Sequence, residues 1–211
     1  MEPGPLEGDA KKVPGGTREK IVDAALQTLK TNGFAGTSAR EIAKTGGFNQ
    51  ALVFYHFGSV QNLLLAALDA VSERRMRAYQ PAFERAGTLS ELAVLARDIY
   101  REDLENGYVT VLGEMVAGGV SNPELGREVV ARLEPWVEIV EGKVKSLVAG
   151  PLFEPMIPAR DLAFAIIALY LGIDMLSHLD GDHTRAESRL DLGIRAAPIA
   201  QALLPSSQRA G

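Results

Sequence analysis

The chain contains no cysteine. That excludes a disulfide framework and any thiolate metal site, and it fits a reducing, cytoplasmic setting. Histidine is scarce, with three residues, and tryptophan occurs once. So few imidazoles and no thiol leave little for catalysis, and no catalytic residue, metal ligand or cofactor is expected. Asp180, Asp182 and His183 in the run LDGDHT suggest a metal loop, but capping and turn formation explain the same residues. Residues 1–16, MEPGPLEGDAKKVPGG, lack the apolar stretch of a secretory signal and read as a disordered arm. The uncharged run LAFAIIALYLGI, between Asp161 and Asp174, is too short to cross a membrane, which takes about 20 residues.

What is present is ordinary globular composition: 211 residues, 46% hydrophobic and 23% charged, enough for a proper core. The net charge of −5 is unevenly spread, with +1 on residues 1–60 and −6 on residues 61–211. A polyanion is therefore met more easily by the N-terminal part, and acidic charge farther away than a Debye length of about 8 Å is largely screened. Lys11 and Lys12 in the arm can add phosphate contacts, although a solvated tail explains them as well.

The most informative stretch runs from Thr37 to Leu64. Thr37 and Ser38 place a hydroxyl where the orphan N–H groups of a helix start need an acceptor, and Glu41, three residues after Ser38, completes a capping box. Ile42 anchors a core, and the small Ala43 admits a second helix. Gly46 and Gly47 end the first helix, Phe48 plugs the turn, and Asn49 caps a short helix over residues 50–57. Helix, glycine turn and short second helix form a helix-turn-helix, whose second helix enters the major groove of double-stranded DNA. Gln50 at its start can pair bidentately with adenine, the Ala51 methyl suits thymine, and Arg40 can reach guanine. Tyr55 and His56 are placed on phosphates, which fix register without reading sequence. Phe54 and Phe57 are assigned to packing.

The run from Thr17 to about Ala67 resembles the DNA-binding domain of TetR-family transcriptional regulators. A leading helix ends in Gly33 and Phe34, the entry TSAREIA follows, and the block Phe54, Tyr55, His56, Phe57 precedes a new helix. The resemblance covers about the first third of the chain. It implies that Arg40, Gln50 and Ala51 face bases, while Thr37, Tyr55 and His56 face the sugar-phosphate backbone. Ser38 is grouped with these DNA-facing positions. Val60 departs from the pattern, because the family commonly carries a phosphate-binding lysine there. Loss of that charge should flatten the salt dependence of binding by about one unit of slope.

Around this motif the chain reads as all-α. A first helix, capped by Thr17 and ending at Asn32 and Gly33, has Ile21, Ala25, Leu26 and Leu29 on one face. Ser59 caps a fourth helix, expected to end near Tyr79 ahead of Pro81, which links reader to body. From Thr88 onward every long segment carries helical periodicity. One helix ends at Asn106 and Gly107, and another, from Tyr108, is closed by Gly118 and Gly119. A long helix from Asn122 is kinked or split at Pro135. Residues 149–158 form a loop with inward-turning apolar side chains. The uncharged helix must be covered all round, so its outer face is expected to meet a second subunit. The last helix starts at Thr184 and Glu187 and bends at Gly193 and Pro198. The resemblance implies the same homodimer, through the last two long helices. The division is a disordered arm over 1–16, a helix-turn-helix domain over 17–60, and a helical effector-binding and dimerisation domain over 61–211.

Tyr100, Leu104, Tyr108, Leu112, Met115, Trp136, Phe153, Phe164, Ile167 and Tyr170 are large apolar or amphipathic residues on helices expected to surround one another. Core packing explains most of them. The resemblance, with Gly113, Gly118 and Gly119 leaving space, favours a pocket for a small, largely apolar effector. Asp174 and His178, four positions apart, can pair across a turn and could meet the ligand, although a solvated or interface pair explains them as well. The expected function is an effector-released repressor binding a palindromic operator as a dimer. The alternatives are a helical DNA-binding protein without small-molecule control and an all-α enzyme.

Overall fold

The computed structural model describes residues 16–148, 158–180 and 183–203. Their regular elements are all α-helices: α1 (Thr17–Asn32), α2 (Ala39–Gly46), α3 (Ala51–Phe57), α4 (Val60–Arg85), α5 (Leu89–Glu105), α6 (Tyr108–Ser121), α7 (Pro123–Ala131), α8 (Glu134–Val148), α9 (Ala159–Asp180) and α10 (His183–Leu203). Phe153, the other apolar residues of 149–157 and the side chains of Asp174, His178, Asp180, Asp182 and His183 lie outside the described residues.

Each of the first four helices turns an apolar face to the same centre. Ile21, Ala25 and Leu29 of α1, Ile42 of α2, Val53 of α3 and Leu63 and Ala67 of α4 are fully buried together. Burying one such Ile or Leu contributes about 1.5–3 kcal/mol, enough to hold the seven-residue α3, which is too short to persist alone. Val111 and Met115 of α6 and Leu125 and Val129 of α7 join this cluster, so the reader's core runs on into the body. Residue 60, the expected domain boundary, is the first residue of α4, and the first half of α4 packs with the reader. Val137, Val140 and Val144 of α8 with Ala163 of α9 form a second core.

Several predicted boundaries move, each for a local reason. Gly16 rather than Thr17 occupies the N-cap of α1, without a side-chain bond. Helix α4 does not stop before Pro81 but continues to Arg85. The Lys143 ammonium donates to the carbonyls of Glu84 and Ala86 at 3.1 and 2.9 Å, satisfying acceptors at that helix end. Helix α6 passes through Gly118 and Gly119 to Ser121. A Cβ at Gly118 would lie 2.7 Å from the Phe34 ring, and one at Gly119 would lie 2.9 Å from the Gly126 Cα. These two glycines permit close helix contact and do not open space for a ligand. The break expected at Pro135 falls between Ala131 and Glu134, so Pro135 sits in the first turn of α8, where its missing N–H is not needed. Helix α10 runs on through Gly193 and Pro198.

Candidate nucleic-acid interface and ligand cavity

Short-range bonds build the helix-turn-helix. Ser38 Oγ accepts the Glu41 N–H at 3.3 Å, while the Glu41 carboxylate approaches Lys44 at 3.7 Å, so only half of the expected capping box forms. Gly47 takes the left-handed conformation (φ 65°, ψ 45°), and its N–H and that of Phe48 both reach the Ala43 carbonyl. Asn49 Oδ1 accepts the Ala51 N–H at 2.9 Å, which starts α3 one residue later than the spacing predicts. Gln50 is therefore the residue before the helix, with helical φ and ψ.

Val53 and Phe57, four apart, face inward, and this sets what α3 shows to solvent. Gln50, Ala51 and Tyr55 are exposed, Tyr55 at 82%, and His56 is half-buried with its ring edge-on to Tyr55 at 5.0 Å. Phe54, expected in the core, is 51% exposed, because the residue beside Val53 on a helix turns about 100° away from it. Arg40 is exposed on α2. The Thr37 hydroxyl donates to the Gly33 carbonyl at 2.6 Å, so that proton is held within the chain. Ser38 keeps its hydroxyl proton, since its oxygen acts there as an acceptor. Lys44 was missed by the sequence reading. It lines the same shallow depression as Arg40, Gly47, Asn49 and Gln50, and its position four after Arg40 was the signal.

The reader is joined to the body at two places. Glu114 of α6 accepts the Phe34 N–H at 2.7 Å, and Lys30 of α1 donates to the Asn106 carbonyl at 2.6 Å. The second joint is α4 itself. Arg75 on α4 pairs with the buried Asp103 of α5, and the hydroxyls of Tyr79 and Tyr170 donate to the same carboxylate at 3.4 and 3.0 Å. Burial holds the Asp103 carboxyl above the usual carboxylate range, while the positive charge of Arg75 and the Tyr170 bond work against the rise. Burial, with the Asp103 charge next, likewise pushes the Tyr79 phenol up.

Beside this junction lies an apolar cavity of about 360 Å³, at the small end of ligand sites. It is walled by α4, α5, α8, α9 and α10. Of the residues expected to line a pocket, Trp136, Ile167 and Tyr170 do so. The Trp136 indole N–H donates to Ser72 at 2.8 Å, and the Arg75 guanidinium lies 4.8 Å from its ring centroid, which fixes the indole against α4. The others lie elsewhere. Met115, Tyr108 and Leu112 pack against the reader's core. Tyr100 is fully buried behind Tyr170, sharing a 2.7 Å hydroxyl bond with Ser177, and Leu104 is not on the wall. Phe164 points outward. Phe83, Leu89, Leu92, Ile99 and Lys143 line the cavity and were missed, since helical periodicity marks a buried face without saying whether it meets atoms or a void.

Phe164, Leu169, Leu176 and Leu179 of α9 and Leu192 and Ile199 of α10 are exposed large apolar side chains on the two last helices. Among the described residues no single helix is long and apolar enough to cross a membrane.

A helix-turn-helix with an exposed second helix, followed by a helical body, is the architecture of a one-piece DNA-binding regulator. The family profile of bacterial regulatory proteins, tetR family, matches residues 21–67. The HTH-type transcriptional regulator BetI of Rhizobium meliloti is 32% identical over 87 residues, 41% of this chain and 43% of BetI, so the chain spans less than half of that relative's length. The fold extends much farther. The fatty acid degradation regulator FadR of Bacillus halodurans superposes with a TM-score of 0.73 at 14% identity, over 87% of this chain and 95% of that one. FadR of Bacillus subtilis, solved in complex with stearoyl-CoA, superposes with a TM-score of 0.68 at 14% identity, over 85% of this chain and 96% of that one. Residues 21–67 thus carry the DNA-binding domain of the tetR family of bacterial regulatory proteins, and over most of its length the chain shares the fold of solved regulators that carry that domain.

Proposed function

We propose that the chain is an effector-released repressor that binds a palindromic DNA operator as a homodimer. The observation that carries this reading is α4: its first half belongs to the reader's core and its second half supplies Arg75 and Phe83 to the cavity wall. A ligand in the cavity thereby touches the helix on which the reader is built. Residues 17–60 act as the reader and residues 61–211 as the effector and dimer domain. Arg40, Gln50 and Ala51 face base edges, while Ser38, Tyr55 and His56 hold the backbone. Lys44 joins them as a phosphate contact. The exposed apolar residues of α9 and α10 supply a self-complementary face, and a two-fold axis through it sets two readers on symmetric half-sites. The apolar wall suits a small, largely apolar effector, and B. subtilis FadR, which shares the fold, was solved with stearoyl-CoA.

Selection and sequencing of bound DNA fragments tests the reader, and titration of the resulting complex with candidate effectors tests the switch. Coupling of about 1–3 kcal/mol, roughly 5- to 150-fold in affinity, is typical, and linkage makes operator DNA weaken effector binding by the same factor. A ligand that binds equally well with and without operator would leave a DNA-binding protein without small-molecule control.

A further inference from the structure

The cavity's wall is chemically one-sided. Its lining among the described residues includes Arg75, Lys143 and Arg189 and no carboxylate; most of the remainder is apolar. Two of these cations stand differently. Arg75 is neutralised from behind by Asp103. Lys143 has no carboxylate within ion-pair distance among the described residues. Its two hydrogen bonds go to the backbone carbonyls of Glu84 and Ala86, which leaves the third ammonium proton unassigned. A half-buried ammonium in an apolar wall, held only by neutral acceptors, gains most from an anion that brings a charge-assisted bond where water is scarce. Its place is also defined. Lys143 grips the C-terminal end of α4 at Glu84 and Ala86, whereas Arg75 lies at least nine residues earlier on that helix, about 13 Å or more away at 1.5 Å per residue. At Lys143 the cavity thus has a cation without a carboxylate partner among the described residues, and from there an apolar length leads to Trp136 and Tyr170.

Resting on the reading of this cavity as an effector site, we propose that it takes an apolar monocarboxylate, with the carboxylate on Lys143 Nζ and the hydrocarbon directed toward Trp136 and Tyr170. A compact carboxylic acid with a short alkyl or aryl body suits the small volume.

Trp136 is the chain's one tryptophan and lies in the wall, so its emission reports occupancy directly. Octanoate, 1-octanol and octylamine, titrated into the full-length protein, separate charge from apolar fit. Octanoate should change Trp136 emission saturably and bind about ten-fold or more tighter than octanol, as expected for a hydrogen bond to a charged group, with octylamine weakest. In Lys143→Met and Lys143→Gln the octanoate-to-octanol preference should fall to near one while octanol still binds, and Lys143→Arg should keep the preference. Octanol binding as tightly as octanoate to the unaltered protein, or an unchanged ratio in both neutral variants, overturns the carboxylate assignment while the cavity remains an effector site. No change in Trp136 emission with any probe overturns both the assignment and the effector-site reading beneath it.

Discussion

The guanidinium of Arg75, on the helix that carries the DNA reader, pairs with the buried carboxylate of Asp103 on α5. Tyr170 of α9 donates to the same carboxylate at 3.0 Å, so one acid ties the reader's helix to the helix with the most exposed apolar side chains. Arg75 and Tyr170 also line the cavity. A ligand placed there would lie against both residues.

Removing one partner of a buried pair leaves the other uncompensated. Arg75→Met should therefore destabilise the chain at neutral pH by about 3 kcal/mol. Asp103 already has its folded-state pKa raised above 3.8, so its contribution to stability is greatest below that value and falls as pH rises through the raised one. Without Arg75 the carboxyl rises further. The deficit of the variant should open with rising pH and close on acidification toward 3.8, which thermal melts across that range measure. A deficit that grows on acidification would contradict this assignment.

Gln50 and Tyr55 should fail differently. Gln50→Ala should relax sequence preference at one position per half-site and cost about 1–3 kcal/mol on the best site. Tyr55→Phe should weaken all sites alike. Fragment selection with both variants reads the difference, and an unchanged selected motif for Gln50→Ala would mean that another residue reads that base.

Leu176 and Leu179 are 67% and 80% exposed on α9 and absent from the cavity wall. A charge at either site, as in Leu176→Arg, should dissociate the proposed homodimer at micromolar concentration while leaving the melting of the separated chain little changed. Sedimentation velocity measures this. Ile166 is a poorer choice, since it also lines the cavity.

Gly119→Ala should lower the melting midpoint, because the added Cβ would stand 2.9 Å from the Cα of Gly126 on α7 and backbone cannot give way cheaply. Overpacking of this kind costs about 1–3 kcal/mol. Gly142→Ala on α8, where nothing lies within 4 Å, is the control and should be neutral or slightly stabilising. Equal melting points for the two variants would remove the close α6–α7 contact as a constraint.

The sequence by itself determined what depends on a few neighbouring residues. Ser38 before α2, Gly47 after it, Asn49 before α3 and Ser59 before α4 act through bonds to N–H or C=O groups no more than four positions away, so the helix-turn-helix could be read from spacing. The family resemblance was legible for the same reason, because that motif is a fixed local pattern. Tertiary structure alone decided which apolar residues border a void. Met115 and Trp136 look alike as large residues on helical faces, yet one is core and the other is wall, because the difference depends on where five separate helices stop short of touching. Nothing local in the sequence marks Asp103, which becomes the buried centre of a junction only when Arg75, 28 positions earlier, and Tyr170, 67 positions later, arrive beside it. Gly118 and Gly119 look like a helix stop until Phe34 and Gly126 fill the space where their side chains would be. Local bonding fixes where helices start, whereas cavities and buried charges are set by the packing of surfaces distant in sequence, which no short-range pattern encodes.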